Sequence, residues 1–449
     1  MKRLSVAAFL FISIVLHGQD VLDEYIKYGL ENNLALQQKQ ANYRISVEAL
    51  KQARALFYPD LSFQARYTVS EGGRVIDFPV GDLLNPVYQT LNNLTSSSLF
   101  PFVENQQINF LRPQEQETKL RLIQPVFNTD IYYNARISRE MTILDEYDVN
   151  QYRRELVSEI RKAYYNAAMA ESILQMLSGT KVLLAENVRV NTKLLENDKI
   201  TRDYLFRSEA EMSKLEQELQ NAWKNKTLAF SYFNFLLNKP LEDTIIIVTP
   251  EKLPSLSVYS EDYSSLALEN REELKKLESY IQLSDLKIKM DNSGKLPELF
   301  VAVDYGFEGT TYRFNSDRDY VQASAVLSWN LFKGFQNRSK IKQSVIEKEI
   351  AEKKLEETGK QIEMQVMSIM NGLLASEKGI AAAESRLKNA NESFRLVNRR
   401  YQEGQASLIE FIDARTTMTQ ANENLIISRF NYLSDYAEFE KAVGSYKPE

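Results

Sequence analysis

Apolar and polar residues alternate along short stretches of the chain. In residues 320–332, the positions from 321 to 331 alternate between an apolar and a polar face, with Val326 as the one apolar exception among them. Residues 61–69 and 299–307 alternate in the same way, and a fourth strand is predicted at 118–126. Strict alternation predicts an extended strand with one apolar face. A transmembrane strand of about 9–11 residues fits this pattern, and so does a half-buried sheet in a soluble protein.

The rest of the chain is dominated by helix-forming residues. A helix is predicted from Asp23 to Leu56, and four longer helices follow, over residues 129–197, 201–237, 333–403 and 406–443. A helix of about 70 residues is about 100 Å long at 1.5 Å per residue. An apolar seam with steps of three and four residues runs along Ile380, Ala383, Leu387, Ala390, Phe394, Val397 and Tyr401. Such a seam predicts coiled-coil packing against the following helix.

The chain repeats its own plan. Leu-Glu-Asn occurs at residues 30–32 and again, 238 residues later, at 268–270. Beyond the strands the separation falls to 206 residues, as between Asp198 and Gly404. A tandem duplication explains both separations if the first copy has a longer connection between its strands. That connection, residues 70–117, is rich in Gly, Pro, Asn and Ser and is predicted to be a loop.

The pattern divides the chain into a leader, two repeats and two short segments. Lys2 and Arg3, followed by an apolar run to Leu16, predict a secretory signal peptide rather than a buried first helix. No other stretch is apolar enough for a membrane helix. The predicted boundaries are a signal peptide at 1–19, a first repeat at 20–238, an inter-repeat segment at 239–262, a second repeat at 263–444 and a tail at 445–449.

Composition removes several classes of functional site. The sequence has no cysteine, and its single histidine, His17, lies in the predicted signal peptide. The mature chain therefore has no thiol or imidazole for metal binding or nucleophilic catalysis. A net charge of −6 with evenly spread Lys and Arg argues against a nucleic-acid partner. We expect no catalytic residues, no metal and no cofactor, and an enzyme that uses carboxylates alone is the least favoured hypothesis.

Four strands are too few to close a barrel around a lumen. Open strand edges leave unpaired backbone groups, and each of these costs several kcal/mol in lipid. The strands therefore belong either to a soluble sheet or to a barrel that other copies of the chain complete. Aromatic residues near the strand ends favour the barrel, because aromatic side chains collect at membrane interfaces: Tyr58, Phe307, Tyr320, Trp329 and Phe332.

Short motifs in a fixed order make the chain resemble the TolC-like outer-membrane efflux proteins over nearly its whole mature length. The motifs are LENN and LENR, YPDL and LPEL, QPVF and WNLFKG, YQEGQASLIEFIDARTTM, and LLNKP and AVG. The resemblance implies a mainly α fold with a β-barrel contribution. In that fold an outer-membrane β-barrel continues into a periplasmic α-helical barrel, and a trimer of tandem-repeat chains forms both.

The resemblance also implies partners and a location. The chain would be a homotrimer in the outer membrane of a Gram-negative bacterium, in contact with lipid and extending into the periplasm. A periplasmic membrane-fusion adaptor would contact the turns at Asp198 and Gly404. The adaptor would join the trimer to an inner-membrane pump of the resistance-nodulation-division or ABC type, for efflux or type I secretion. The alternative is a periplasmic coiled-coil scaffold or tether without a pore.

The family's periplasmic gate matches a small set of positions. Its two acidic residues match Glu410 and Asp413, whose spacing places both carboxylates on one helix face. With threefold symmetry, six carboxylates would face one axis and favour cations. Tyr401 matches a gate tyrosine, and Asp203 is the acidic candidate in the first repeat. Ala406 replaces the family's arginine, so the family's locking contacts are not carried over. The alternative is that these carboxylates lie on a solvated helix face.

Overall fold

The computed structural model describes residues 18–250, 252–255 and 262–445, with only the backbone described for residues 18–20. Apart from Gly18 and Gln19, the predicted signal peptide lies outside these residues. The helices are α1 Gly18–Asn32, α2 Leu34–Ala55, α3 Val80–Thr95, α4 Thr129–Glu196, α5 Arg202–Leu236, α6 Tyr263–Asn270, α7 Glu272–Ser293, α8 Gln336–Gln402 and α9 Leu408–Val443. The strands are β1 Asp60–Val69, β2 Val75–Phe78, β3 Gln106–Asn109, β4 Gln114–Phe127, β5 Glu298–Gly309 and β6 Asp319–Ser328.

The chain forms two compact units. The helical unit comprises the described residues within Met1–Val47, Glu140–Ser284 and Glu347–Glu449, and the sheet unit comprises Glu48–Arg139 and Asp285–Ile346. Matching elements of the two repeats have nearly equal lengths, since α4 has 68 residues and α8 has 67, while α5 has 35 and α9 has 36. No helix within the described ranges is both long enough and apolar enough to cross a membrane.

Apolar seams hold the helical unit together. One buried cluster joins α1, α4 and α5 around Tyr164 and Phe233. A second joins α6, α8 and α9 around Leu373 and Tyr432, and it includes Ile380 from the predicted seam. At the far end of that seam, the ring of Phe394 lies 5.7 Å from that of Phe411 on α9. The seam therefore packs against the following helix, as the heptad spacing predicts.

The single helix predicted from Asp23 to Leu56 is wrong, because the structure breaks it at Asn33. The Asn33 side chain accepts a hydrogen bond from the Leu36 amide (2.9 Å) and donates one to the Leu236 carbonyl (2.8 Å). Asn33 thereby begins α2 as its N-cap and ties it to the end of α5. The second repeat breaks at Arg271, which is 238 residues further along the chain.

The sheet has the order β1-β4-β5-β6, and every neighbouring pair is antiparallel. The prediction that the last strand continues to residue 332 is wrong. Strand β6 ends at Ser328, which pairs with Glu298, the first residue of β5. Because Ser328 already pairs with the first residue of β5, Trp329 has no residue of that strand to pair with. Its indole instead donates to the Lys295 carbonyl at 2.9 Å.

The prediction that residues 70–117 form a loop is also wrong. The segment contains a two-stranded ribbon, β2 with β3, and the 16-residue helix α3 between them. Strand β4 begins at Gln114, earlier than the predicted residue 118. Turn-forming residues hid the helix, since α3 contains Pro86 in its interior and begins next to Pro79.

Candidate functional site

One face of the sheet is apolar and exposed. Cross-strand pairing aligns Leu61 with Leu122, and Leu122 with Val303. The next row aligns Phe63 with Leu120, and Leu120 with Tyr305. The large apolar side chains that remain exposed on this face are Leu61, Phe63, Tyr67, Val69, Leu120, Leu122, Tyr305, Val321 and Leu327. A patch of this extent marks an interaction site on a soluble protein, or a surface in contact with lipid.

The opposite face carries charges that are largely shielded. Arg121 makes a bidentate ion pair with Asp304, at 2.9 and 3.0 Å. Lys119 donates to Glu117 at 2.7 Å, and the Tyr320 hydroxyl donates to Glu117 at 2.9 Å. Asp304 is only 5% exposed, whereas Val321 on the apolar face is 72% exposed. The sheet therefore reverses the polarity of a soluble protein, in which apolar groups are buried and charges are solvated.

The two outer strands each have one neighbour within the chain. Strand β1 pairs only with β4, and β6 pairs only with β5, among the described residues. Each is ten residues long and leaves a row of backbone N–H and C=O groups along its free edge. Long free edges of this kind are templates for pairing with another strand.

The predicted interface aromatics lie near both ends of the sheet. Tyr58 precedes β1, while Trp329 and Phe332 follow β6, so these three lie at the end where the helices connect. Phe307 lies at the other end and belongs to the apolar face, in register with Thr118. Tyr320 belongs to the polar face, where its hydroxyl donates to a carboxylate. The role of the aromatic residues at a membrane interface remains a prediction.

Two helical hairpins end in turns with the same backbone geometry. Asp198, after α4, and Gly404, after α8, both adopt the left-handed conformation, with φ of 57° and 72°. In each turn the residue after this position donates its N–H back to the helix, as Lys199 does to Leu194 (2.8 Å) and Gln405 to Arg400 (2.7 Å). These bonds are the mark of a Schellman-type helix end.

The acidic candidates at the turns have different surroundings. Ser407 and Glu410 form a capping box at the start of α9: the Glu410 carboxylate accepts from the Ser407 amide at 2.7 Å. The amide and then the hydroxyl of Ser407 hold the pKa of Glu410 below its usual value. Asp413 is exposed, one turn further along. Asp203 is also exposed and contacts the hydroxyl of Thr201 at the start of α5.

Tyr401 connects the two hairpins. Its hydroxyl donates to Asn191 of α4 at 2.9 Å, and Asn191 in turn donates to Ser208 of α5 at 2.6 Å. The Tyr401 ring stacks on Phe411, with centroids 4.9 Å apart. Burial raises the pKa of Tyr401, so its hydroxyl remains a donor. Asn191 is fully buried, which makes this polar chain sensitive to the loss of any member.

A second polar link lies on α9, two residues beyond Asp413. Arg415 of α9 donates to Glu211 of α5 at 2.6 Å, and only 7% of the arginine side chain is exposed. Arg415 also lines a cleft of about 340 Å³ between α4, α5 and α9. Among the described residues, its Nε and the Thr419 hydroxyl have no hydrogen-bond partner. The guanidinium therefore joins the two repeats through one well-formed ion pair.

Sequence reasoning missed both links. Asn187 and Asn191 are four residues apart on α4, and both are buried. Polar residues at that spacing on an otherwise apolar face were a detectable signal. Arg415, in the motif that carries the resemblance, was another signal. Their partners on α5 were not predictable, because contacts between distant helices depend on packing that one sequence does not reveal.

Sequence comparisons match this chain to known proteins over most of its length. Residues 263–445 match the family described as outer membrane efflux protein. Outer membrane protein TolC of Escherichia coli (strain K12) is 20% identical over 471 residues, covering 98% of this chain and 85% of TolC. Alkaline protease secretion protein AprF of Pseudomonas aeruginosa is 19% identical over 330 residues, covering 72% of this chain and 69% of AprF.

The structure of the Campylobacter jejuni CmeC outer membrane channel superimposes with a TM-score of 0.76 at 14% identity. It covers 95% of this chain and 86% of CmeC. At this identity the likeness shows the fold. The TolC-like fold predicted from the sequence is confirmed, as is the recognised resemblance.

Proposed function

We propose that this chain, a TolC-like outer-membrane efflux protein, is the outer-membrane channel of a tripartite efflux or type I secretion system. It is a passive duct in the outer membrane of a Gram-negative bacterium and extends into the periplasm. Relatives are named as an outer membrane channel and as a protease secretion protein. They are transport proteins, and we propose no catalytic activity for this chain.

The reversed polarity of the sheet carries the proposal. Its exposed face is lined by side chains such as Phe63 and Val321, and its shielded face carries Arg121, Asp304 and Glu117. Lipid on one side and a wet lumen on the other require this arrangement. Exposing Phe63 or Val321 to water instead costs about 1.5–3 kcal/mol for each fully exposed side chain.

A homotrimer completes the wall. The four strands alternate in direction along the sheet, so β1 and β6 run in opposite directions. The free edge of β6 in one copy can therefore pair antiparallel with the free edge of β1 in the next. Pairing β6 of one copy with β1 of the next satisfies both edges, and three copies give twelve strands. This closure removes every unpaired edge from the lipid, which a single chain does not achieve.

The acidic constriction and the helical links form the proposed gate. Asp413 and Glu410 are the exposed carboxylates of the proposed ring, and Glu410 also caps α9. Tyr401 and Arg415 hold the second-repeat hairpin against the first, through Asn191 and Glu211. Opening the periplasmic end requires these contacts to separate. Asp203 is a weaker candidate, because it is exposed and its contact among the described residues is with Thr201 of its own turn.

The periplasmic adaptor contacts the two turns, and an inner-membrane pump of the resistance-nodulation-division or ABC type drives export through it. Photoreactive labels at Lys199 and Gln405, both exposed, test this contact without disturbing Gly404. Gly404 itself is a poor labelling site, because its φ of 72° strains any other residue. Adducts with an adaptor-sized protein from the same envelope support the proposal, and adducts confined to this chain contradict it.

Recording from purified protein in planar lipid bilayers tests the channel directly. Trimers should produce discrete conductance steps, small in the closed state. Trimers that conduct nothing, even with Glu410→Gln and Asp413→Asn combined, rule out a channel.

The gate assignment has its own recordings. Asp413→Asn should raise conductance and weaken block by divalent cations, because it removes three of the ring charges. Glu410→Gln should do the same and also loosen the α9 cap. The matched control is Glu392→Gln, an exposed acid paired with Arg395 on α8. Block that Asp413→Asn leaves unchanged would contradict the ring.

Membrane fractionation separates the channel from a periplasmic tether. A barrel resists salt and alkaline carbonate and requires detergent for extraction. A tether held by surface contacts is released by carbonate, and that result would contradict the proposed function at its base.

A further inference from the structure

The segment between β1 and β4 is a folded element. Asn85 of α3 donates to the Val103 carbonyl at 2.8 Å and accepts from the Val103 amide at 2.9 Å. Asn92, seven residues later on the same helix face, makes the same pair of bonds to Phe100, at 2.8 and 3.1 Å. Each asparagine side chain bonds both the N–H and the C=O of one backbone residue, as a neighbouring strand would. Together they hold residues 99–105 along the helix. The position of α3 in this unit is therefore well defined.

The helix also lies close to that segment. A Cβ at Gly81 would lie 2.3 Å from the Val103 carbonyl oxygen, so only glycine permits the approach. Asp82 accepts from the Asn105 side chain at 3.0 Å, and its own amide donates to Asn105. The ring of Tyr88 packs 5.5 Å from that of Phe100. One side of α3 is thus fully used by contacts within the chain.

A second side of α3 carries an apolar stripe that no residue in the described part of the chain covers. Leu83, Val87 and Leu94 lie four and seven residues apart, so they share one face. They are 66%, 52% and 77% exposed. Leu99 and Phe102, on the segment bound to the helix, are exposed as well. Burial of such side chains away from water is favourable, and an exposed group of them indicates a binding partner.

The charge of the segment argues against a lipid surface. Residues 75–111 contain no Lys or Arg, and they include Asp77, Asp82 and Glu104. Helices that lie on membranes carry basic residues on their polar face and are attracted to anionic headgroups. Arg74 and Arg112 flank this stretch, and between them the segment is anionic, so anionic headgroups do not attract the helix. A neutral apolar stripe on an acidic element matches a protein surface better.

The position of the segment in the sheet indicates which protein surface the stripe contacts. The element leaves β1 at Val69, and β1 is the edge strand to which the next copy pairs in the proposed trimer. The element thus starts at the boundary between copies, at the end of the sheet away from the long helices. We propose that the stripe of Leu83, Val87 and Leu94 packs against a neighbouring copy of this chain and helps to close the outer mouth. This inference rests on the trimer of the proposed function.

Photo-crosslinking tests the contact in native membranes. A photoreactive residue at Val87 or Leu94 should give several-fold more chain-to-chain adducts than one at Gln89 or Asn93. The two control positions are exposed and lie off the stripe, about 140° and 100° away around the helix at 3.6 residues per turn. Adducts should be identified by mass spectrometry as copies of this chain. In the same samples, trimer content and conductance are measured.

The outcomes are distinct. Adducts on lipid or lipopolysaccharide from Val87 and Leu94 overturn the inference in favour of a membrane contact. Equal yields at all four positions, or no adducts between chains, overturn it as well. If trimers and conductance persist in those cases, only the inference fails. If trimers and conductance are absent in unlabelled protein too, the proposed function fails with it.

Discussion

The two hairpin turns have the same backbone and different chemistry. Both reverse the chain through a left-handed residue, Asp198 in the first and Gly404 in the second. The second turn uses glycine, which adopts this conformation freely, and then a complete capping box from Ser407 to Glu410. The first turn uses an aspartate, and Thr201 begins α5 without a side-chain capping bond. Duplication preserved the path of the chain, while the local stabilisation of the two copies diverged.

The difference indicates where each turn obtains its order. The second turn is stabilised locally, by residues within four positions of one another. The first turn depends more on the second, through Asn191 to Tyr401 and Glu211 to Arg415. Loss of a lateral link should therefore loosen the first hairpin more than the second. Hydrogen exchange, resolved by hairpin, distinguishes the two responses.

The largest expected effect comes from Arg415→Met. It leaves Glu211 partly buried and unpaired, and should lower the free energy of unfolding by about 2–4 kcal/mol. Arg399→Met, which breaks an exposed pair with Glu403, should cost less than about 1 kcal/mol. The double variant Arg415→Met with Glu211→Met should recover most of the loss. Denaturant unfolding followed by circular dichroism measures all three, and equal losses at Arg415 and Arg399 would contradict the link.

Tyr401→Phe removes one hydroxyl and keeps the stacked ring. The fully buried Asn191 then loses its donor, which should cost about 1–2 kcal/mol. The same change should raise the open probability in bilayer recordings, because α8 is no longer bonded to α4. Tyr436→Phe is the control, since it removes a hydroxyl far from the turns. If Tyr401→Phe changes neither the open probability nor the free energy of unfolding, the Tyr401 bond does not hold the hairpins together.

The two turns also differ in helix capping, and the expected effect of this difference on stability is smaller. Ser407→Ala should cost about 1 kcal/mol, because the first turn of α9 loses its cap. Thr201→Ala should cost little, because that side chain makes no capping bond to the backbone. The Ser407 bonds lower the pKa of Glu410, so their stabilisation is complete above the usual value of 4.5 and lost as pH falls through the lowered value. The difference between wild type and Ser407→Ala should therefore shrink in acid.

The smallest effect is expected at the left-handed residues. Asp198→Gly should stabilise the protein by about 0.5–1 kcal/mol, because glycine adopts this conformation without strain. Gly404→Asp should destabilise it by a similar amount. Among the described residues, apart from the two that flank Gly404, no atom lies within 4 Å of a Cβ built there, so the cost is conformational rather than steric. Opposite signs from the two exchanges support the comparison, and equal signs refute it.

Local patterns made the fold predictable in outline. Alternation in 61–69 and 299–307 reflects two faces in different surroundings, and that contrast is visible in sequence. Helix ends were harder, because Asn33 breaks the first helix through a bond to Leu236, 203 residues away. The end of β6 was also hidden, since it depends on where β5 begins. Pairing limits strands, and pairing is not local.

The candidate gate shows the same division. Resemblance indicated Glu410, Asp413 and Tyr401, whose motif is contiguous. It did not reveal that Glu410 caps a helix, although Ser407 three residues earlier is the signature of a capping box. The bonds of Tyr401 and Arg415 cross between repeats, so they became visible only in the packed structure.

Cysteine labelling along the strands tests the central claim most directly, since the natural chain contains no cysteine. Single cysteines at Phe63 and Val321 lie on the exposed apolar face, and those at Gln64 and Gln322 lie on the charged face. In native membranes, a water-soluble maleimide should label the second pair and leave the first pair unreacted until detergent is added. Strong labelling of Phe63→Cys and Val321→Cys in intact membranes, with Gln64→Cys and Gln322→Cys protected, would contradict a lipid-facing wall around a wet lumen.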